Sequence, residues 1–153
     1  MTWDPKKYNE FKDERSKPFE DLTSHIIDKP NLKVIDLGCG TGELTKKLSQ
    51  KLTNPIVLGI DNSAEMLAKT PLGSDLQFEE RTILEQLNVE EKWDLIFSNA
   101  ALQWIDNHNN LFPKIISQIN PGGQLAVQMP QQNENILNKI LFNLVKEEPF
   151  KSY

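Results

Sequence analysis

The fold of this chain is decided by the stretch Val34-Ile35-Asp36-Leu37-Gly38-Cys39-Gly40-Thr41-Gly42. Its apolar first half ends in three glycines at alternate positions, and a helical pattern containing Leu44 and Leu48 follows at once. A strand that passes through glycines into a helix exposes backbone N–H groups with no side chain in front of them. Such N–H groups at a helix start attract negatively charged groups. The stretch therefore predicts a ligand-binding turn between a first strand and a first helix.

The spacing of the glycines and the acid before them indicate which ligand the turn would take. Dinucleotide-binding turns space their glycines as G-x-G-x-x-G, whereas this chain has G-x-G-x-G with Asp36 two positions earlier. A carboxylate at that position would repel a diphosphate. It would favour a ligand that carries an ammonium, a sulfonium and a single carboxylate, which describes S-adenosylmethionine. The alternative is a glycine turn that binds no ligand.

A second acid follows the second apolar run. The apolar run at 55–60 is followed by Asp61, about 20 residues after the glycines. Dinucleotide-binding folds place at this distance the acid that binds the ribose hydroxyls. S-adenosylmethionine carries the same ribose diol. Asp61 can also cap the helix that begins near Ser63, and the two roles are compatible.

Composition narrows the class of protein. The chain has 153 residues, a length that suits one domain, and a net charge of -5, which argues against a nucleic-acid partner. Cys39 is the single cysteine, so an internal disulfide and a cysteine metal cluster are excluded. No apolar run is long enough to span a bilayer. These features predict a cytoplasmic protein with no membrane, metal or nucleic-acid partner.

Strand and helix patterns alternate along the chain. Apolar runs predict strands at 32–37, 56–60, 75–79, 93–98 and 124–129. Helical spacing predicts helices at 42–51, 63–69, 83–88, 107–119 and 133–146. In addition, Pro18 is expected to restart a helix before the first strand, and a turn is predicted at 120–123. The alternation predicts an α/β fold with a doubly wound parallel sheet.

This topology would bring several loops to one edge of the sheet. The carboxyl ends of parallel strands meet there, and ligands bind beyond them at the point where the strand order reverses. Asp36, Asp61, the end of the third strand and residues 98–100 all fall on this edge. Aromatic residues near the N-terminus, Tyr8 among them, would either cover the edge as a lid or pack against the sheet.

Several groups of residues together resemble a known family. Residues 36–42, 59–61 and 121–123 are similar to motifs of class I S-adenosylmethionine-dependent methyltransferases, which have a Rossmann-like sheet. The resemblance narrows to the trans-aconitate methyltransferase family through a signature at 3–15, the run Asn-Ala-Ala-Leu-Gln-Trp at 99–104 and the run Leu-Ala-Val-Gln-Met-Pro at 125–130. It implies a helical lid at 1–30 and a cofactor-binding core at 31–153. Five of the usual seven strands would be present, with the last two missing at the C-terminus.

The resemblance also implies roles for individual residues. The cofactor would be bound by Asp36, Gly38, Cys39, Gly40, Gly42, Asp61, Asn62, Met66 and Asn99. The place where sulfonium and acceptor meet would be lined by the catalytic positions Asn99, Gln103 and Trp104. The substrate would be contacted by Tyr8, Arg15 and Trp104.

Four of these residues could equally serve the fold or the surface without touching a ligand. Cys39 suits a small buried position, and Asn99 suits a turn. Trp104 could simply pack in the core, and Arg15 could pair with a neighbouring acid on the surface. One further position departs from the family pattern, because the acid expected to meet the adenine amino group falls near Thr82.

The reaction that the resemblance implies is methyl transfer to a carboxylate of trans-aconitate. A carboxylate acceptor is already ionised at pH 7, so it needs no general base, and neither His25 nor His108 lies in a predicted binding loop. The alternatives are another small acid, an acid bound to an acyl carrier, or a truncated fragment that binds the cofactor or dimerises without catalysis. A full-length protein would be a monomer, whereas the exposed edge of the fifth strand could pair two copies.

Overall fold

The computed structural model describes residues 12–71 and 75–130. Its helices are α1 (Lys12–Ser24), α2 (Glu43–Lys51), α3 (Ala64–Leu67), α4 (Ile83–Gln86) and α5 (His108–Ser117), with a 3-10 helix at Leu102–Trp104. Its strands are β1 (Lys33–Leu37), β2 (Ile56–Asp61), β3 (Leu76–Glu80), β4 (Trp93–Asn99) and β5 (Ile119–Gln128). The helix predicted at 133–146 lies outside the described residues.

The five strands form one parallel sheet in the order β3-β2-β1-β4-β5. This arrangement confirms the predicted doubly wound fold. The chain leaves β1 for β2 and β3 on one side and returns to β4 and β5 on the other, so the order reverses between β1 and β4. The carboxyl ends of those two strands therefore flank the crevice in which such sheets bind ligands.

Helices cover both faces of the sheet, which explains why β1 is apolar almost throughout. On one face, α1 and α2 pack on Val34 through Phe19 and Leu48. On the other face, the 3-10 helix and α5 pack on Ile35 and its neighbours. Phe19 is fully buried and lies edge-on to Phe97, with 5.9 Å between ring centroids. The described part of the N-terminal segment is therefore anchored in the core.

Two local predictions were wrong. Pro18 does not restart a helix, because it lies inside the continuous helix α1. Packing of the adjacent Phe19 against the sheet holds this segment helical. The sequence at 120–123 is not a separate turn, since it belongs to β5. It forms an irregularity in the pairing of β5 with β4, because Trp93 pairs with Ile119 whereas Leu95 pairs with Gln124.

Hydrogen bonds to the Asp94 side chain hold this irregular stretch in the sheet. Its carboxylate accepts hydrogen bonds from Asn120 Nδ2 at 2.8 Å and from the backbone N–H of Lys33 at 2.9 Å. These bonds, led by the one from Lys33, lower the pKa of Asp94. One side chain of β4 therefore ties the amino ends of β1 and β5 together.

Candidate functional site

The glycine turn (residues 38–42) lies at the carboxyl end of β1, where the sequence predicted it. The backbone N–H groups of Gly38 and Cys39 both donate to the Ile60 carbonyl at 2.9 Å, which fixes the turn on the end of β2. Gly40 has a φ of 55°, and a Cβ added there would meet no heavy atom within 4 Å. The described residues therefore leave open space over the middle of the turn.

The segment that ends β4 and continues past it (residues 99–104) packs directly on the glycine turn. A Cβ added to Gly38, which has a φ of 80°, would lie 2.3 Å from the Cβ of Ala101. Ala100 adopts the left-handed conformation with a φ of 56°, and its N–H donates to the Gln128 carbonyl of β5 at 2.9 Å. Gly38 thus makes room for the neighbouring loop, whereas Gly40 borders open space.

Asp36 lies under the turn and is 3% exposed. Thr45 of α2 donates its hydroxyl to Asp36 Oδ2 at 2.6 Å. Burial raises the pKa of Asp36 to about 7, with the Thr45 bond opposing the rise and the charge of Asp61 adding to it. Its carboxyl group is therefore divided between neutral and ionised forms near neutral pH.

Asp61, at the end of β2, joins two loops. Its Oδ2 accepts from the Gly40 N–H at 2.8 Å, and its Oδ1 accepts from the Ser63 N–H at 2.9 Å. The helix cap predicted for Asp61 belongs instead to Ser63, whose Oγ accepts from the Met66 N–H at 3.3 Å. Each carboxylate oxygen of Asp61 retains a further lone pair for a ligand hydroxyl. Asn62 and Met66 follow on the surface, where Met66 is 42% exposed.

Two amide side chains, one on the last residue of β4 and one in the 3-10 helix that follows, present unsatisfied oxygens. Asn99 Oδ1 and Gln103 Oε1 are buried and accept no hydrogen bond from the described residues. Gln103 Nε2 donates to the Ala100 carbonyl at 2.7 Å, which fixes the side chain. A buried acceptor without a donor is costly, so these oxygens suit a ligand that brings N–H or O–H groups.

Trp104 is 79% exposed, so the alternative that it only packs in the core is wrong. It ends the 3-10 helix next to Gln103 and presents a large apolar surface at this edge. Cys39 is buried, and burial and the nearby Asp36 raise the pKa of its thiol. A protonated, buried thiol is a poor nucleophile, which agrees with a filling role for this side chain.

The end of β3 carries a helix cap where the family pattern has an acid. Thr82 caps α4 by accepting from the Glu85 N–H at 3.1 Å, and the Glu85 carboxylate accepts from the Thr82 N–H at 2.8 Å. The Thr82 hydroxyl also donates to Glu85 Oε2 at 2.7 Å, and this bond, together with the one from the Thr82 N–H, lowers the pKa of Glu85. Arg81 Nη2 forms an ion pair with Glu79 Oε2 at 2.5 Å. The described contacts assign no residue to an adenine amino group.

The structure brings most of the predicted site residues together at one edge of the sheet. Asp61 is hydrogen-bonded to Gly40 of the glycine turn, Asp36 at the end of β1 is hydrogen-bonded to Thr45 of α2, and Ala101 packs on Gly38 of the turn. Gly42 ends the turn as the N-cap of α2. Tyr8 and the side chain of Arg15 lie outside the described residues.

Sequence reasoning missed three residues that shape the site. Thr45 binds Asp36, Ala101 packs on Gly38, and Phe78 of β3 borders two glycines. A Cβ on Gly42 would lie 2.6 Å from the Phe78 ring, and one on Gly59 would lie 2.8 Å from it. The last of these contacts follows from the parallel register, which only the structure shows and which pairs Gly59 with Phe78.

The polar groups around the glycine turn suit an organic cation better than a metal ion. Within residues 12–71 and 75–130, no three His, Cys, Asp or Glu side chains cluster as a metal site would need. The same part of the chain contains no helix long and apolar enough to cross a membrane. The available groups are two carboxyl groups, two amide oxygens and the open glycine turn. They fit a ligand with an ammonium, hydroxyl groups and a short charged chain.

Comparison with known proteins relates the chain to one family. Residues 28–151 match the methyltransferase domain family. The trans-aconitate 2-methyltransferase of Deinococcus radiodurans is 43% identical over 143 residues, covering 92% of this chain and 54% of that protein. The enzyme of the same name from Methylobacterium nodulans is 36% identical, covering 97% of this chain and 57% of that protein. The chain thus spans about half the length of the curated relatives it matches.

Solved structures show the same fold. A methyltransferase in complex with the Trm112 activator of Haloferax volcanii superposes with a TM-score of 0.66 at 18% identity, covering 79% of this chain and 55% of that one. An S-adenosylmethionine-dependent methyltransferase from Mesorhizobium loti superposes with a TM-score of 0.59 at 24% identity, covering 72% of this chain and 51% of that one.

Proposed function

This chain belongs to the methyltransferase domain family, and on that premise we propose that it binds S-adenosylmethionine and methylates a carboxylate of a small polycarboxylic acid. Trans-aconitate is the first candidate acceptor, because the similar proteins from Deinococcus radiodurans and Methylobacterium nodulans are named trans-aconitate 2-methyltransferases. The acceptor and the activity are proposals, since the chain spans about half the length of those relatives.

The observation that carries this function is the open space over Gly40, whose N–H is bound by Asp61, at the sheet edge that also carries the unsatisfied amide oxygens of Asn99 and Gln103. In this assignment the glycine turn and Asp36 hold the methionine end of the cofactor. Asp61 accepts from the ribose hydroxyls, and the exposed residues Asn62 and Met66 flank the adenine. The buried Asn99 Oδ1 accepts a hydrogen bond from the cofactor, which removes the cost of a buried acceptor without a partner.

When bound, S-adenosylmethionine supplies an electrophilic methyl group on a positively charged sulfur. The chain contributes mainly position and electrostatics, which is what a direct displacement requires. Asn99, Gln103 and Trp104 line the acceptor side of the cleft. An acceptor carboxylate is already ionised at neutral pH, so no residue has to remove a proton.

We assign residues 31–153 to the cofactor-binding core and residues 1–30 to a segment that closes over the acceptor. In this assignment Tyr8 and Arg15 contact the substrate, because a guanidinium pairs well with a polycarboxylate. The anchoring of α1 through Phe19 gives this segment a fixed base on the sheet. A single buried cysteine and a net charge of -5 are consistent with a cytoplasmic protein without a nucleic-acid partner.

Calorimetry and a methyl-transfer assay test the function together. We expect S-adenosylmethionine to bind with a Kd in the micromolar range, and NAD to produce no heat. Labelled methyl groups should pass to trans-aconitate in preference to an acyl-carrier-bound acid. Absence of heat with both S-adenosylmethionine and S-adenosylhomocysteine would contradict the cofactor assignment. Transfer only to the carrier-bound acid would overturn the choice of acceptor.

Gly40→Ala is expected to weaken S-adenosylmethionine binding by at least about tenfold, because its methyl group would enter the space assigned to the ligand. The left-handed φ of 55° should also cost about 1 kcal/mol of folding stability. Gly122→Ala is the matched control, since Gly122 also has a positive φ and open surroundings but lies in β5. Titration calorimetry should find the Gly122 variant binding normally. Equal loss of affinity in both variants would remove Gly40 from the binding site.

A second candidate function is a binding unit that dimerises without catalysis. It is favoured by the position of β5, a ten-residue strand with a single neighbour in the described sheet. An unpaired strand edge can accept a strand from a second copy. Light scattering at increasing concentration tests this function. A dimer without methyl transfer would favour it, whereas a monomer that methylates trans-aconitate would exclude it.

A further inference from the structure

A histidine on α5 is hydrogen-bonded to the segment that carries Gln103 and Trp104. His108 Nε2 lies 2.9 Å from the Leu102 carbonyl oxygen. A carbonyl oxygen can only accept, so Nε2 is the donor. His108 is the first residue of α5 and lies outside the loops predicted to bind a ligand. Its side chain nevertheless reaches the 3-10 helix at the end of residues 99–104.

The imidazole ring is supported by its own helix. Phe112, one turn further along α5, contacts the His108 ring edge-on, with 5.7 Å between the ring centroids and 78° between the ring planes. Phe112 in turn packs against the apolar core. A side chain that is packed in this way has few alternative rotamers, so α5 presents the Nε2 donor from a fixed base.

The first half of the segment has anchors that do not involve His108. The Ala100 N–H donates to the Gln128 carbonyl of β5 at 2.9 Å. The side chain of Ala101 packs on Gly38 of the glycine turn. These two contacts hold the backbone next to Asn99, the residue of this segment that we assign to the cofactor.

The second half of the segment is where His108 acts. The Leu102 carbonyl accepts from the Ile105 N–H at 3.1 Å as well as from His108, so both of its lone pairs are used. Gln103 and Trp104 follow directly on this carbonyl. Trp104 is 79% exposed, so packing contributes little to its position. The orientation of both side chains therefore depends on the backbone of the 3-10 helix.

We propose that His108 is a positioning residue for the methyl acceptor, because it fixes the backbone that presents Gln103 and Trp104. The inference rests on the proposed function, which places these two side chains on the acceptor side of the cleft. In this role His108 contacts neither ligand and moves no proton. Its effect on the rate comes from geometry, since a misplacement of about 1 Å can slow a reaction by about a hundredfold.

Three variants of His108 test the role of its Nε2. The amide nitrogen of a glutamine lies about where the imidazole has Nε2, whereas that of an asparagine lies about where it has Nδ1. His108→Gln should therefore keep the bond to Leu102, and His108→Asn and His108→Leu should lose it. Comparing the first two variants separates this bond from a general need for a polar side chain.

Steady-state methyl transfer to trans-aconitate by the 153-residue chain is the first measurement. We expect kcat/KM for the acceptor to fall about tenfold in His108→Asn and His108→Leu and less than about threefold in His108→Gln. The Kd for S-adenosylmethionine should change less than about twofold in all three variants, because the glycine turn and the first half of the segment keep their own anchors. Asn109→Leu is the matched control, since Asn109 is the next residue of α5 and is exposed.

Backbone ¹⁵N order parameters of Gln103 and Trp104 give a second readout that needs no ligand. They should be about 0.85 in the wild type and His108→Gln, and should fall below about 0.6 in His108→Asn and His108→Leu. Equal kcat/KM values in the Gln and Asn variants, or unchanged order parameters in the Leu variant, would overturn the inference. Loss of folding in the Asn and Leu variants, seen by urea denaturation, would make His108 a stability residue and would overturn it too. A wild type that transfers no methyl group would instead overturn the proposed function.

Discussion

Gly38→Ala is expected to destabilise the folded chain by about 3 kcal/mol, the largest effect of any single methyl group at the site. The left-handed φ of 80° accounts for about 1 kcal/mol. The rest comes from overlap, because the new Cβ would lie 2.3 Å from the Cβ of Ala101. Urea denaturation of the variant and the wild type would measure the difference. A loss of this size is a large fraction of the stability of an ordinary domain.

Two further variants separate the backbone cost from the overlap. Gly40→Ala has a similar positive φ but open surroundings, so it should lose only about 1 kcal/mol. The double variant Gly38→Ala with Ala101→Gly should recover about 2 kcal/mol, since it removes the overlapping methyl group. If Gly38→Ala were no more destabilising than Gly40→Ala, the close packing of residues 99–104 on the glycine turn would be wrong.

Asp36→Asn is expected to stabilise the chain by about 4 kcal/mol at pH 8, although it alters the proposed binding site. The folded-state pKa of Asp36 is raised from 3.8 to about 7, so the folded chain prefers the neutral form. The stability that this preference provides is complete well below the unfolded-state pKa of 3.8 and is lost as the pH rises from there through 7. Asparagine stays neutral throughout, so the advantage of the variant should grow from about 1 kcal/mol at pH 4.5 to its full size at pH 8.

Asp94→Asn is the matched control of opposite sign. Hydrogen bonds from Lys33 and Asn120 lower the pKa of Asp94, so its ionised form stabilises the fold. That stability is present above the unfolded-state pKa and is lost as the pH falls through the folded-state value. Asp94→Asn should therefore destabilise the chain more at pH 8 than in acid. Urea denaturation across pH 4.5–8 would distinguish the two variants, and equal behaviour at all pH values would contradict the described burial of Asp36.

Both expectations concern a site whose position was readable from the sequence. The order of apolar runs and helical patterns required a parallel sheet, and parallel strands place their carboxyl ends on one edge. The glycine spacing with Asp36 then located the turn that we propose binds the cofactor, and Asp61 located a second loop on the same edge. These signals are local, because each depends on residues close together in the chain, and here no contact with a distant segment overrides them.

Other features depend on contacts between distant segments, and their prediction failed or was incomplete. Pro18 was expected to begin a helix, but packing of Phe19 against Phe97 keeps the segment continuous. The glycines at 122 and 123 signalled a turn, but Asp94 binds Asn120 and holds the stretch in β5. Asp61 was considered as a helix cap, whereas it binds the Gly40 N–H from another loop.

The sequence by itself determined the fold class, the glycine turn and the edge of the sheet on which that turn and the other candidate site residues lie. Only the tertiary structure decided that Thr45 binds Asp36, that Ala101 fills the space beside Gly38 and that Trp104 stands exposed. The physical reason is that these facts depend on strand register and on the packing of loops joined to different strands. A local pattern fixes the direction of a side chain within its own element, but not which distant atom it will meet.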